Sequence, residues 1–185
     1  MNKNMKRLIC LLFILFPLIC LAQGNKGTVE SCAPMKKGKV CYEDVVEMKG
    51  FTQDELYNNI NKWAKREYGS DIFISNTIAN RAKKTIMINS KIELLLGDDE
   101  KSILKYKMYI SCHDNEYRVE VRDLTFFYDP EGRGRVKRYP AESILANNGN
   151  GNKVPAIKIP EVFCNATFFF VEGLFGDVLE AAKGQ

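Results

Sequence analysis

The segment that most constrains the fold is a stretch of alternating apolar and polar residues on both sides of Asp114-Asn115. Alternation with a period of two predicts β-strands that each bury one face. Asp114-Asn115 suits a two-residue turn, so we expect an antiparallel hairpin in which Ile110 faces Val119. The buried face is predicted to hold Leu104, Tyr106, Met108, Ile110 and Cys112 before the turn, and Tyr117, Val119 and Val121 after it.

The apolar pattern changes phase within the second strand of this hairpin. Leu124, Phe126 and Tyr128 alternate again, but in the opposite phase to Val121. One extra residue in the strand produces such a slip, so we predict a β-bulge near Arg122-Asp123.

A well-defined helix is predicted upstream of the hairpin. Thr52-Gln53-Asp54-Glu55 has the pattern of a capping box, and Phe51 and Leu56 are placed as a hydrophobic staple. We expect the helix to end at Gly69. Its buried face is predicted to consist of Leu56, Ile60, Trp63 and Ala64, with Trp63 as a core anchor.

Three more strands and a second helix complete the predicted order β-α-β-β-β-β-α. The strands are expected at Val40–Met48, from Ile72 and Ile74 onward, and at Ile86–Leu94. Both helices can cover one face of an antiparallel sheet, which gives an α+β two-layer sandwich. The C-terminal helix has Asn165 as its candidate cap and an apolar stripe of Phe168, Val171, Leu174, Phe175, Val178 and Leu179.

The N-terminal residues have the organisation of a secretion signal. Lys3, Lys6 and Arg7 precede an uninterrupted apolar run, Leu8–Leu21, and Ala22 offers a small residue for cleavage. The run is shorter than the ~20 residues that span a bilayer. We therefore predict a periplasmic or secreted protein. Lipidation is not favoured, because the only Cys at the end of the run, Cys20, follows the bulky Ile19.

The predicted organisation is a signal peptide at 1–22, a flexible lead-in at 23–38 and one domain at 39–185. Within that domain we expect a core at 39–128, a long irregular segment at 129–164 and the second helix at 165–183. We predict no transmembrane helix after cleavage. Four cysteines remain, which allow three pairings in an oxidising compartment: Cys32, Cys41, Cys112 and Cys164.

Charge argues against nucleic acid as a partner. Without the three cations of the signal peptide, 24 basic residues stand against 23 acidic ones. A near-neutral chain lacks the electrostatic footprint of a nucleic-acid-binding domain.

Few residues offer catalytic or metal chemistry. His113 is the single histidine. Its neighbours Cys112 and Asp114 project to other faces of a strand, so they do not form a ready-made dyad. The cysteines also lack metal-site spacing. We predict no catalytic residue, metal site or cofactor.

Four segments carry a likeness to a known family: Gly38–Val46, Phe51–Tyr57, Trp63-Ala64 and the hairpin segment Asn115–Val119. Through them the sequence from Lys39 to about Tyr128 resembles a family of exported bacterial proteins, domain-of-unknown-function family 4468. The resemblance implies a TBP-like fold and carries no functional residues with it. A fold alone does not imply a function.

The sheet face opposite the helices is the predicted binding surface. Hairpin register places Ser111 opposite Arg118, Tyr109 opposite Glu120, and Lys107 opposite Arg122, while Lys91 is expected beside Lys105 with Glu93 as partial compensation. Opposed cations are destabilising, which suggests an acidic protein, a glycan or a lipid headgroup as partner. The candidate residues are Lys105, Lys107, Tyr109, Arg118 and Arg122, with a second basic patch at Arg133, Arg135, Lys137 and Arg138.

Three functions are compatible with these features. The leading hypothesis is a non-catalytic binding module in the bacterial envelope. The alternatives are a hydrolase that uses a carboxylate pair such as Glu93 and Glu120, and an envelope component that self-associates through its sheet edges.

Overall fold

The computed structural model describes residues 32–69, 71, 73–97, 100–146, 157 and 160–184. The predicted signal peptide and most of the predicted lead-in lie outside the described residues.

One antiparallel sheet dominates the described part of the chain. Its strands are β1 (Met35–Lys36), β2 (Lys39–Glu47), β3 (Ser75–Asn80), β4 (Thr85–Leu95), β5 (Lys101–His113), β6 (Glu116–Tyr128) and β7 (Lys137–Pro140). They follow the order β1-β2-β6-β5-β4-β3, and β7 pairs with the end of β6. The helices are α1 (Gln53–Tyr68), α2 (Ala141–Leu145) and α3 (Pro160–Ala182).

The long helices α1 and α3 cover one face of this sheet. The ring of Phe163 on α3 packs edge-to-face on Phe126 and Tyr128 of β6, with centroids 5.1 and 5.3 Å apart. Phe170 packs in the same way on Tyr106 of β5. The α+β two-layer sandwich is confirmed, and the opposite side of the sheet, called here the open face, carries no long helix among the described residues.

The central hairpin has the predicted register. Ile110 pairs with Val119, and Lys107 pairs with Arg122. The pairing then shifts by one residue, and Asp123 adopts a left-handed conformation with φ 56° at the shift. The bulge is confirmed, and it keeps Leu124, Phe126 and Tyr128 on the buried face.

The start of α1 is also as predicted. The Glu55 amide donates to the Thr52 hydroxyl, and the Thr52 amide donates to the Glu55 carboxylate. Trp63 is buried and packs edge-to-face on Tyr68. Gly69 follows the helix with an ordinary φ of −97°. It is needed for space, because a Cβ atom there would overlap the Lys65 carbonyl oxygen.

The expectation of an irregular segment at 129–164 is wrong in two places. It contains β7 and α2, which are too short to produce a clear periodic pattern. The helix α3 also begins at Pro160, and proline is favoured in the first turn, where its missing N–H costs nothing. Asn165 therefore lies inside α3 and does not cap it, and Phe168 is exposed rather than part of the core stripe.

The strand predicted from Ile72 and Ile74 onward starts later than expected. Ile74 lies in a turn, and β3 begins at Ser75. The Phe73 amide donates to the Asp71 carboxylate, and the Ser75 amide donates to the Asp71 carbonyl. This local turn leaves Phe73 and Ile74 outside the sheet.

Helix α3 is long and apolar enough, by length and composition, to cross a membrane. The prediction of no transmembrane helix after cleavage assumed that no stretch of this length and apolar composition follows the signal peptide, and that assumption is wrong. A core helix meets the same criterion, and one side of α3 is buried against the sheet and α1, including Val171, Leu174 and Val178.

A disulfide bond joins Cys32 to Cys164 on α3, with Cα atoms 6.0 Å apart. The Cys32 amide also donates to the Leu145 carbonyl at the end of α2. Cys41 and Cys112 are free and buried. The structure therefore contains one disulfide bond, which links the start of the described chain to its last helix, and it leaves the other two cysteines unpaired.

Candidate functional site

The predicted binding residues do lie on the open face, but several are engaged with one another. The Arg122 guanidinium lies over the Tyr109 ring, 4.0 Å from its centroid. Lys107 Nζ lies 2.9 Å from the Asp123 carboxylate on the bulge. A hydrogen bond to Asp123 raises the pKa of Lys107. The opposed cations Lys107 and Arg122 are thus each compensated by a neighbour.

A second network covers the β2 side of the open face. Lys36 Nζ lies 2.6 Å from Glu43 and 3.1 Å from Glu120. Its hydrogen bond lowers the pKa of Glu43, and the field of Arg118 acts in the same direction. Arg118 itself is exposed opposite Val45. This half of the predicted surface has its charges largely balanced.

The other half of the open face holds a groove of about 670 Å³. It includes Lys105 and Lys107 from the predicted set, while Tyr109, Arg118 and Arg122 lie outside it. We call it the lysine groove. Its lining consists of Phe73, Ile74, Ser75, Asn76, Asn89, Ser90, Lys91, Ile103, Lys105, Lys107 and Phe127.

Lys91 and Lys105 stand directly opposite each other on β4 and β5 within the lysine groove. Directly opposed side chains have Cβ atoms about 5 Å apart. Neither ammonium forms an ion pair with any carboxylate of the described residues. Glu93, the expected compensating group, instead pairs with Lys101 at 2.9 Å. The groove therefore contains two adjacent cations without a counter-charge from the described chain.

Apolar side chains flank this cation pair. Ile103 on β5 faces Phe127 on β6. Ile103 lies two residues before Lys105 on the same face of β5. Phe73 and Ile74 lie on the β3 side, and Phe73 is 85% exposed. Exposed apolar side chains grouped in one groove and bordered by polar residues, as Phe73, Ile74 and Ile103 are, are typical of a binding surface.

Two asparagines lie beside the cations. Asn89 on β4 donates through Nδ2 to Asn76 Oδ1 on β3 at 2.8 Å. The Asn76 Nδ2 group has no acceptor among the described residues. The lysine groove thus combines charge, amide donors and apolar contact area.

Sequence reasoning missed most of the apolar part of the groove. Ile103 alternates in phase with Lys105, and Phe127 alternates in phase with Thr125 after the bulge. The hairpin pattern alone therefore places both apolar residues on the open face. Phe73 and Ile74 were assigned to a strand. Asp71 two residues before Phe73 was the signal for a turn there.

The second predicted patch is exposed but does not form one surface. Arg133 pairs with Glu131 at 3.3 Å, and the Arg135 amide donates to Asp129. Lys137 and Arg138 lie on β7, where Arg138 faces Phe127. Arg138 alone of these residues is placed near the lysine groove.

Cys112, the cysteine next to His113, is not activated as a nucleophile. Cys112 is buried and His113 exposed, as expected for adjacent strand residues. Burial raises the pKa of Cys112 to about 12, so this residue is a neutral thiol at physiological pH.

The proposed carboxylate pair is wrong. Glu93 aligns with Ile103 and Glu120 with Tyr109, six residues further along β5. That offset separates them by about 20 Å, against the ~5–9 Å of glycosidase carboxylates. No cluster of potential metal ligands occurs among the described residues.

Comparison with known proteins places this geometry in a family. A TBP-like protein from Parabacteroides distasonis has a crystal structure that superposes with a TM-score of 0.78. The two sequences are 53% identical, and the match covers 82% of this chain and 97% of the other. Residues 42–127 match the family model "Domain of unknown function (DUF4468) with TBP-like fold". The chain belongs to the DUF4468 family.

A second DUF4468 structure shares the fold at lower identity. The protein from Bacteroides ovatus is 20% identical, with a TM-score of 0.69 and coverage of 82% of this chain and 90% of its own. No curated protein matches the chain. The family description specifies a fold and no activity. The lining of the lysine groove falls within the segment that matches the DUF4468 model.

Proposed function

We propose that this DUF4468 protein is an exported, non-catalytic binding module whose lysine groove binds an anionic, partly apolar partner. The observation that carries the proposal is the opposed pair Lys91 and Lys105 between apolar flanks. Like charges directly opposite each other destabilise a sheet. An anionic group bound between the two ammonium groups would remove that repulsion.

The size of the groove supports a binding role. Its volume of about 670 Å³ lies within the ~300–1,000 Å³ of small-molecule sites. Such sites are mostly apolar with a few placed polar groups. The flanks formed by Phe73, Ile103 and Phe127 and the polar residues Lys91, Lys105 and Asn76 fit that description.

Two observations support a role without catalysis. Burial holds Cys112 in its neutral form. Glu93 and Glu120, the proposed acid–base pair, are too far apart and each lies within an ion pair. The described residues of the groove offer cations and amides, which bind and orient an anion.

Export is supported by the disulfide between Cys32 and Cys164. Disulfides persist in the periplasm and outside the cell and are rare in the cytosol. Together with the signal-like residues 1–22, this bond favours an envelope location.

The test is photo-crosslinking in living cells that express the full chain. A photoreactive phenylalanine analogue at Phe73 samples the groove, and the same analogue at the exposed Lys62 on α1 samples another surface. We expect an adduct at position 73 and none at position 62, with its mass read from the purified protein.

Charge dependence is the second part of this test. The double variant Lys91→Ala/Lys105→Ala should lose the adduct. The matched control Lys62→Ala/Lys65→Ala also removes two exposed lysines, both on α1 and outside the groove. An adduct that persists without Lys91 and Lys105, or is absent from the wild type, overturns the proposal.

Self-association is a second candidate, because β3 is an edge strand and its Ile78 is 53% exposed. Unprotected edges pair with other chains. Sedimentation velocity checks this: a concentration-dependent dimer that is lost in Ile78→Lys supports it, and a monomer at all concentrations rules it out.

A further inference from the structure

The lysine groove also indicates which class of anion it binds. We infer that the ligand is a single-chain amphipathic phosphate, with a phosphoryl headgroup between Lys91 and Lys105 and an aliphatic chain along the apolar flank. This inference rests on the proposed function and adds the chemical class of the partner.

Charge matching favours a phosphate over a carboxylate. Lys91 and Lys105 lie opposite each other without a counter-ion from the described residues, so the site carries two positive charges. A phosphate monoester carries about −1.5 to −2 at neutral pH, whereas a carboxylate carries −1 and would leave one ammonium unbalanced. Lysine also binds phosphate as a point charge.

Neighbouring groups fit a headgroup with several oxygens. Asn89 lies two residues from Lys91 on the same strand face, about 7 Å away. Its partner Asn76 retains Nδ2 hydrogens without an acceptor among the described residues. Lys107, opposite Asn89, adds a third ammonium, although Asp123 balances it. Amide donors on one side of the cation pair can therefore supplement the two ion pairs.

The apolar part of the ligand has a defined path. Ile103 and Phe127 form a directly opposed pair on the other side of Lys105, about 7 Å from it along β5. Ile103 is 37% exposed, so an aliphatic chain laid on it would bury area that now faces solvent. Ile103 and Phe127 therefore lie on the side of Lys105 away from Asn89 and Lys107, and Glu93, which faces Ile103, is already paired with Lys101. An amphipathic molecule can thus place its headgroup at the lysines and its aliphatic chain on Ile103 and Phe127.

Isothermal titration calorimetry tests the assignment, using protein purified from cells that express the full chain. The probe is decyl phosphate below its micelle concentration, and the comparison probes are inorganic phosphate, decanoate and decanol. We expect decyl phosphate to bind with 1:1 stoichiometry. The dissociation constants of inorganic phosphate, decanoate and decanol should each be higher by about tenfold or more.

Variants separate the two halves of the ligand. Lys91→Ala/Lys105→Ala should weaken decyl phosphate binding by about tenfold or more, while Lys62→Ala/Lys65→Ala should leave it within about twofold. Ile103→Thr keeps a β-branched strand residue. It should weaken decyl phosphate binding and leave any inorganic phosphate binding unchanged.

Each contrary result has a distinct meaning. If decanoate binds as tightly as decyl phosphate, the assignment of a phosphoryl headgroup is wrong. If inorganic phosphate binds as tightly as decyl phosphate, the aliphatic chain of the ligand contributes nothing to binding, and the assignment of an amphipathic ligand is wrong. If none of the probes binds but the Phe73 adduct forms and depends on both lysines, this inference fails and the proposed function stands. If neither occurs, both fail.

Discussion

The guanidinium of Arg122 lies over the ring of Tyr109, which is two strand positions from Lys107 on the open face. This stacking keeps Arg122 away from the opposed Lys107 and turns an unfavourable pair into two separate interactions.

Replacing Arg122 with alanine should lower the free energy of unfolding by about 0.5–1 kcal/mol, because an exposed cation–π pair is worth that much. Urea denaturation monitored by circular dichroism measures the change. The lysine groove should bind its ligand as before, since Arg122 does not line it. Unchanged stability in Arg122→Ala would contradict a net stabilising role for the stacked Arg122.

The register of the hairpin was predictable because two local signals agree. A two-residue turn at Asp114-Asn115 fixes the pairing, and a one-residue error would move every apolar side chain from Leu104 to Cys112 to the open face. The bulge followed from the same pattern, since the phase slip requires an extra residue at Asp123. Period-two patterns therefore gave both the sheet and the positions of Lys105 and Lys107.

The groove could not be predicted in full because its lining comes from separate elements. Phe73 reaches it through a turn set by Asp71, and the exact position of that turn depends on hydrogen bonds rather than periodicity. The sequence also does not predict that Lys91 lacks an ion-pair partner, because Glu93 could pair with either Lys91 or Lys101. In the structure Glu93 pairs with Lys101. Side-chain partner choice is a tertiary property that one sequence does not specify.

Gly69→Ala should destabilise the protein by about 1–3 kcal/mol, the usual cost of overpacking. The added methyl group would overlap the Lys65 carbonyl oxygen, so the end of α1 would have to shift. Gly97→Ala is the matched control, because a Cβ at Gly97 meets no atom within 4 Å. Equal thermal midpoints for the two variants would contradict this account.

Removing the disulfide with Cys32→Ser/Cys164→Ser should cost about 2–5 kcal/mol, because the bond closes a long loop and restricts the unfolded chain. Chemical denaturation of the double variant measures the loss. Peptide mapping without reduction should find Cys32 linked to Cys164, and a linked peptide that contains Cys41 or Cys112 would contradict the structure.

Burial of Cys112 should make stability fall at alkaline pH. Its pKa is raised from 9.0 to about 12, because burial disfavours the thiolate. The pKa of Cys112 is higher in the folded protein than in the unfolded chain. The contribution of its protonated thiol to the free energy of unfolding is therefore fully present below pH 9.0 and is lost as the pH rises toward about 12. At a pH near 10.5 the loss from this residue is about 2 kcal/mol.

Cys112→Ala provides the control for that measurement. The cavity left in Cys112→Ala lowers the free energy of unfolding at every pH. Between about pH 8 and 10.5, however, the free energy of unfolding should fall less in this variant than in the wild type. The buried Tyr42, whose pKa burial raises to about 12, also ionises in the unfolded chain near this range, but it does so in both proteins. Urea denaturation at each pH gives the two slopes, and identical slopes would mean that the Cys112 thiol ionises as easily in the folded sheet as in the unfolded chain.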